Sequence, residues 1–349
     1  MKKFLIKSVL VLLPTLLFVA TINYFGDAAN LFSAGYEQKI AQGLKSGYNV
    51  TNVSNYDERL LQKEMIDTKT CPQVVVIGSS RTMLINSDYF KNKTFLNNSV
   101  SGASLQDLLA IYELYEKNGC APEHIILGLD PWTLNDNNSQ SRWMTLEPEY
   151  NIIADRLNNK KESVHSSNPQ SKYIQLVSPS YFQASIRNLN KNNELLLTKN
   201  KINSTFTRLV DGSICYDEKY RNSSPAKIDA LVSDYMNGEL YSIEKFNEIS
   251  PKLSQLLEKF IVVLHEKKIK VSVLLLPYHP KVYKFISTNN KYKQVLRTED
   301  FYHSLALKYN IEITGSFNPS VLKLDETAFY DGMHSKQKGV EKLMKILKK

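Results

Sequence analysis

The chain has 349 residues, 42% of them hydrophobic and 23% charged, and its 44 Lys and Arg against 35 Asp and Glu leave a net charge of +9. This apolar content excludes a chain disordered throughout, and leaves room for one large domain or two small ones behind an apolar leader. The basic excess is not gathered into a block interleaved with aromatics, so no nucleic-acid groove is expected; it is read as compatibility with membrane surfaces and polyanions.

The first element is Met1-Lys2-Lys3-Phe4-Leu5-Ile6-Lys7, which leads into an apolar run over residues 9–22. Basic residues on the N-terminal side of such a run hold that end in the cytoplasm and send the rest of the chain across. Residues 4–25 suffice to span a bilayer, with Pro14 as a tolerated kink. Residues 1–25 are therefore read as a single-pass anchor in the inner or cytoplasmic membrane, with the remainder extracytoplasmic (periplasmic). A cleaved signal peptide is the rival reading, because Asp27-Ala28-Ala29 supplies small residues nearby. Both place the domain outside the cytoplasm.

Residues 26–70 are polar, with helical stretches over 36–44 and 56–66, and read as a stalk; the domain is expected over 71–349. Cys71, Cys120 and Cys215 show no CxxC or Cys/His spacing suited to zinc, and no metal or cofactor is expected. Cys71 and Cys120 each precede an apolar strand-like run. They are read either as a disulfide, which an exported compartment permits, or as two buried thiols.

Next comes Gln73-Val74-Val75-Val76-Ile77-Gly78-Ser79-Ser80, a β-branched run ending in small residues, as a buried parallel strand delivers a turn. A helix after Thr82, a brief strand near 94–96 and a turn at Ser99-Val100-Ser101-Gly102 follow. Ser104 reads as the N-cap of a helix over 105–117 with Leu105, Leu108, Leu109, Tyr112 and Tyr115 on one side, and Asn118-Gly119 stops it. A second buried strand over 124–130 ends at Pro131-Trp132. Residues 133–249 have poor periodicity, with Asn-rich pieces between short helical ones, and read as a mostly helical insertion. Alternation returns with a helix over 251–267, a strand over 270–276 ending in Pro277-Tyr278-His279-Pro280, a helix near 292–309, a strand over 311–314 and a closing helix over 335–348. This order predicts an α/β fold with an open, doubly wound, flavodoxin-like parallel sheet.

In such a sheet ligands bind beyond the carboxyl ends of the strands. Gly78-Ser79-Ser80-Arg81, Ser101-Gly102 and Gly128-Leu129-Asp130-Pro131-Trp132 all fall at such ends, and Tyr330-Asp331-Gly332-Met333-His334 comes just before the closing helix. Alone, Gly-Ser-Ser is often only a tight turn and Asp331 to His334 a surface loop; their joint occurrence in this order is what points to chemistry. The order and spacing resemble the SGNH (GDSL-like) hydrolase superfamily over the domain outside the insertion. The resemblance implies Ser80 as nucleophile, His334 and Asp331 as its base and orienting carboxylate, and the Gly102 N–H as an oxyanion donor. At the third block the family's Gly-x-Asn-Asp is replaced by Gly128-Leu129-Asp130, and an aspartate donates no hydrogen bond unless protonated. His279 is the competing base, its plainer role being to line the cleft. Asp130 and Trp132 either shape an acyl or sugar pocket or, for Trp132, belong to the core. Arg81 pairs with a substrate anion or with a local carboxylate.

Within the superfamily the anchor, the Gly-Ser-Ser block and the long insertion look most like the membrane-tethered accessory proteins of cell-envelope polysaccharide acylation, of the D-alanylation and O-acetylation types. These act beside a membrane-bound O-acyltransferase. The resemblance implies that Ser80 receives an acyl group and passes it to a glycan hydroxyl; transfer and hydrolysis differ in how the cleft excludes water, and 133–249 is the candidate lid. An SGNH esterase or deacetylase with the same triad, and a non-catalytic glycan-binding scaffold, are the alternatives.

Overall fold

The structure is a computed structural model and describes residues 2–27, 32, 35–66, 71–159, 173, 176–189 and 194–347. In chain order the N-terminal part gives α1 (Lys2–Gly26), α2 (Tyr36–Lys45), β1 (Asn49–Thr51) and α3 (Glu58–Met65). Then come β2 (Val74–Ile77), β3 (Phe95–Asn97), α4 (Leu105–Lys117) and β4 (His124–Gly128). The segment read as an insertion holds α5 (Glu147–Leu157), α6 (Pro179–Asn188), β5 (Leu196–Thr198), β6 (Thr207–Arg208), β7 (Ile214–Cys215), α7 (Glu218–Arg221) and α8 (Pro225–Asn237). The chain closes with α9 (Pro251–Glu266), β8 (Lys270–Leu275), α10 (Pro280–Thr288), α11 (Lys293–Lys308), β9 (Glu312–Gly315) and α12 (Gln337–Leu347).

Five strands pair in parallel in the order β3-β2-β4-β8-β9, which is 2-1-3-4-5 when these strands are counted along the chain. That is the strand order of flavodoxin-like sheets, and the fold is a mixed α/β fold compatible with that type. Alternate side chains leave the sheet on opposite faces. Val75, Ile77, Ile125, Leu127 and Val273 join one core with α4, α9 and α11, while Val74, Val76, Ile126 and Leu274 join a second with Val340, Leu343 and Met344 of α12. Burial on both faces is why these strands read as mostly apolar runs without alternation.

Local chemistry sets the ends of the elements. Ser104 accepts from the Asp107 N–H while the Asp107 carboxylate accepts from the Ser104 N–H, which closes a capping box at the start of α4. Gly119 leaves that helix at φ +64°. Cys71, ahead of β2, and Cys120, ahead of the adjacent β4, form a disulfide with their Cα atoms 5.4 Å apart.

Four expectations are changed. After Thr82 there are only short 3-10 turns, Ser80–Thr82 and Ser87–Tyr89, because the Asn97 amide from β3 donates to Thr82 O and Ile85 O, carbonyls a continuing helix would need. The segment read as a stalk is folded. Ile40, Leu44, Val50 and Leu61 form a buried cluster, and β1 sits inside a second sheet of order β5-β1-β6-β7. The insertion supplies the other three strands of that sheet, so it is less helical than expected. Pro280 starts an unanticipated helix, α10, with His279 as its N-cap.

The expected transmembrane anchor is not supported: among the described residues no helix is long and apolar enough to cross a membrane. The C-terminal part of α1 also makes protein contacts, with Phe18 6.1 Å from Phe182 of α6 and the Asn23 amide donating to Leu176 O at 2.9 Å. Ala28 and Ala29, the small residues of the cleavage reading, lie outside the described residues.

Candidate active site

Gly78 follows β2, and the space beside it is taken by Gly128 at the end of the neighbouring β4: a Cβ there would lie 3.1 Å from Gly128 Cα and 2.6 Å from the Thr82 hydroxyl. Ser79 caps the following turn by accepting from the Arg81 N–H. This turn sets Ser80 at the carboxyl edge of the sheet, half-buried. From the other end of the chain, the loop before α12 is closed by the Tyr330 N–H donating to His334 O, and it brings His334 to the same edge.

Ser80 Oγ lies 2.9 Å from His334 Nε2, and His334 Nδ1 lies 2.8 Å from Asp331 Oδ2. With the Nδ1 proton donated to Asp331, Nε2 is left to accept from the Ser80 hydroxyl. Asp331 Oδ1 accepts from the N–H groups of Met333 and His334, each at 2.8 Å, and Oδ2 also accepts from the Tyr220 hydroxyl at 2.7 Å. Burial pushes the Asp331 carboxyl up, but the neighbouring His334 and these donors outweigh it and hold the group well below the usual carboxylate range. An ionised Asp331 fixes the imidazole tautomer and stabilises the imidazolium that forms when Ser80 loses its proton. The arrangement is therefore competent to make the Ser80 oxygen a nucleophile.

Arg81 does not face a substrate. It is buried, with Nη1 2.7 Å from Asp130 Oδ1, Nε donating to Met333 O at 3.1 Å, Nη2 donating to Leu276 O, and its guanidinium carbon 4.5 Å from the centre of the Tyr278 ring. One side chain thus ties together the loops after β2, β4 and β8 and the His334 loop. Asp130 is its counter-ion. Burial pushes the Asp130 carboxyl up and Arg81 opposes this, and the short ion pair takes up the Oδ1 oxygen.

Trp132 is fully buried, donates its indole N–H to Ala103 O at 2.9 Å, and meets the Tyr241 ring edge-on at 5.4 Å, so it braces the site from the core. His279 is also fully buried. Its Nδ1 accepts from the Lys281 N–H at 3.2 Å, and burial pushes its pKa below the ordinary imidazole value. The Ser80 hydroxyl is bonded to His334, not to His279.

Gly102 is buried at φ +58°, a conformation that favours glycine. Its turn is held to the Ser80 loop by the Val100 N–H donating to Gly78 O at 3.0 Å and by the Thr82 and Ser99 hydroxyls, 2.7 Å apart. Among the described residues neither the Ser80 nor the Gly102 N–H has a hydrogen-bond acceptor, so both are available to a developing oxyanion. No group of three His, Cys, Asp or Glu side chains suited to a metal occurs among the described residues.

Sequence reasoning missed Tyr220, the fourth donor to Asp331, and the side chains that cover Gly102, namely Gln140, Arg142 and Tyr241. All come from the segment of poor periodicity, where no sequence signal separates a site residue from a surface one. No family model and no curated protein matches this chain.

Proposed function

We propose that the protein is an SGNH-type serine O-acyltransferase of the cell envelope, in which Ser80 takes an acyl group and hands it to a glycan hydroxyl. The observation that carries this reading is the continuous Ser80–His334–Asp331 relay, with its 2.9 and 2.8 Å contacts. In the first half-reaction Ser80 Oγ bonds to the acyl carbon, its proton passes to His334 Nε2, and the leaving group takes that proton as its bond to the acyl carbon breaks. The glycan hydroxyl then attacks the acyl-serine by the reverse route, giving its proton to His334 and freeing Ser80.

A cleft of about 510 Å³, lined by Asn55, Tyr56, Asp57, Glu58, Arg59, Ser101, Arg142 and Thr145, lies beside Ser101 and is of a size to take a sugar unit. The Cys71–Cys120 disulfide supports an oxidising, extracytoplasmic compartment. Leu12, Leu13, Leu16 and Leu17 of α1 are exposed, an apolar surface suited to a membrane or to a membrane-bound O-acyltransferase that delivers the acyl group.

Hydrolysis is the second reading, favoured by the His334 side chain being 20% exposed, which lets water approach the acyl-serine. Incubating the full chain with an activated acyl ester and an envelope oligosaccharide, followed by mass spectrometry, separates the possibilities. Acyl-oligosaccharide that disappears in Ser80→Ala is expected. Free acid alone makes the protein an esterase, and no turnover by folded protein makes it a scaffold.

A further inference from the structure

The oxyanion site described above has two backbone donors and lacks the side-chain donor that Asp130, committed to Arg81, does not supply. A cationic group stands against Gly102, one of the two backbone donors. A Cβ placed on Gly102 would lie 2.3 Å from Arg142 Nη2, 2.1 Å from Tyr241 Oη and 2.8 Å from Gln140 Oε1, so these three polar atoms converge on the glycine itself. Arg142 Nη2 donates to Tyr241 Oη at 2.8 Å and to Gln140 Oε1 at 3.1 Å. Both supports are themselves held, because Trp132 packs edge-on against Tyr241 and the Gln140 amide donates to the Ser242 hydroxyl at 2.7 Å.

Arg142 is exposed and has no carboxylate partner among the described residues. Two acceptors occupy its Nη2, which leaves Nη1 and Nε with protons to donate. Arg59 and Arg81 are paired with carboxylates, Asp107 and Asp130, while Arg221 donates to backbone carbonyls. Arg142 is instead held by two neutral groups, with its Nη2 against Gly102 and with Asp57 and Glu58 lining the same cleft.

We propose that Arg142, held over Gly102 by Gln140 and Tyr241, is the side-chain donor that stabilises the oxyanion formed when Ser80 attacks an acyl carbonyl. As the Ser80 Oγ–carbon bond forms, the carbonyl π pair moves onto oxygen, and the new negative charge is met by the Ser80 and Gly102 amides and by the Arg142 guanidinium. Collapse returns the pair, breaks the bond to the leaving group, and gives that group the proton held by His334. The assignment rests on the serine-acylation reading, and it gives part of the segment over 133–249 a direct part in the chemistry.

The test uses p-nitrophenyl acetate as a neutral ester with the full chain, comparing wild type, Ser80→Ala, Arg142→Gln and Arg142→Lys, with thermal midpoints measured on each. Because Arg142 is exposed, its variants are expected to melt with the wild type. Arg142→Gln is expected to lower kcat by about 10²-fold with KM nearly unchanged, as for loss of one oxyanion donor, and Arg142→Lys to recover part of the loss. A wild-type kcat in Arg142→Gln, or a loss confined to KM, overturns the assignment while leaving Ser80 acylation intact. Absence of Ser80-dependent turnover in the wild type overturns the serine reading and this inference with it.

Discussion

Four donors share the two oxygens of Asp331: the N–H groups of Met333 and His334, the imidazole N–H and the Tyr220 hydroxyl. Three belong to the loop itself, and the fourth arrives from α7. Because the folded carboxyl sits well below its ordinary range, its contribution to stability is present above the ordinary carboxylate pKa and is lost only as the pH falls through the lower folded value. Removing a donor to the charged form raises that folded value and moves the loss to higher pH. Tyr220→Phe also weakens the hold on the imidazole and is expected to lower ester turnover by about tenfold, equivalent to one hydrogen bond to a charged group, with acid unfolding displaced to higher pH. A pH–rate profile that superimposes on the wild type makes Tyr220 a packing residue only.

The elements that position the triad were the most legible. β2, β4 and β8 are short, mostly apolar runs closed by Gly78, Asp130-Pro131 and Pro277, and the Ser104 box marks the start of α4 within a single segment. What stayed hidden depends on pairs remote along the chain. The bond between Arg142 and Tyr241 spans 99 residues, and that between Tyr220 and Asp331 spans 111, so neither leaves a local pattern. The same holds for β1, a three-residue strand whose place in a sheet depends on partners near residues 197 and 208. At the β4–β8 pairing, His124 Nε2 meets the Ser272 hydroxyl at 2.8 Å, and burial, aided by Lys270 and Lys93, pushes its pKa down from 6.5 to about 4. The unfolded chain then binds more protons than the folded one between those values, so stability falls as the pH drops from 6.5 toward 4. His124→Asn is expected to flatten that part of a urea-midpoint series taken between pH 7 and pH 4.5. An unchanged slope would show that the strand start is insensitive to this imidazole.

Among the described residues, two sheets and one disulfide hold the site at the scale of the whole molecule. The 49-residue separation of Cys71 and Cys120 gives a loop whose closure removes about 4 kcal/mol of unfolded-state entropy in the chain-entropy account. The paired change Cys71→Ser with Cys120→Ser is expected to lower the unfolding free energy by about 2–4 kcal/mol in urea, and equal midpoints would mean that the link does not constrain the unfolded chain. The anchor reading of α1 is left without support, since among the described residues no helix is long and apolar enough to cross a membrane, and the end of α1 packs against α6. Activation of Ser80 as a nucleophile by His334 is the step on which the proposed chemistry turns. The direct measurement is the rate at which a fluorophosphonate labels the full chain, with the modified residue located by mass spectrometry. Labelling at Ser80 is expected, abolished in Ser80→Ala and slowed by about 10³–10⁴-fold in His334→Gln. A folded wild type that stays unlabelled, or one that labels as fast without the imidazole, would contradict it.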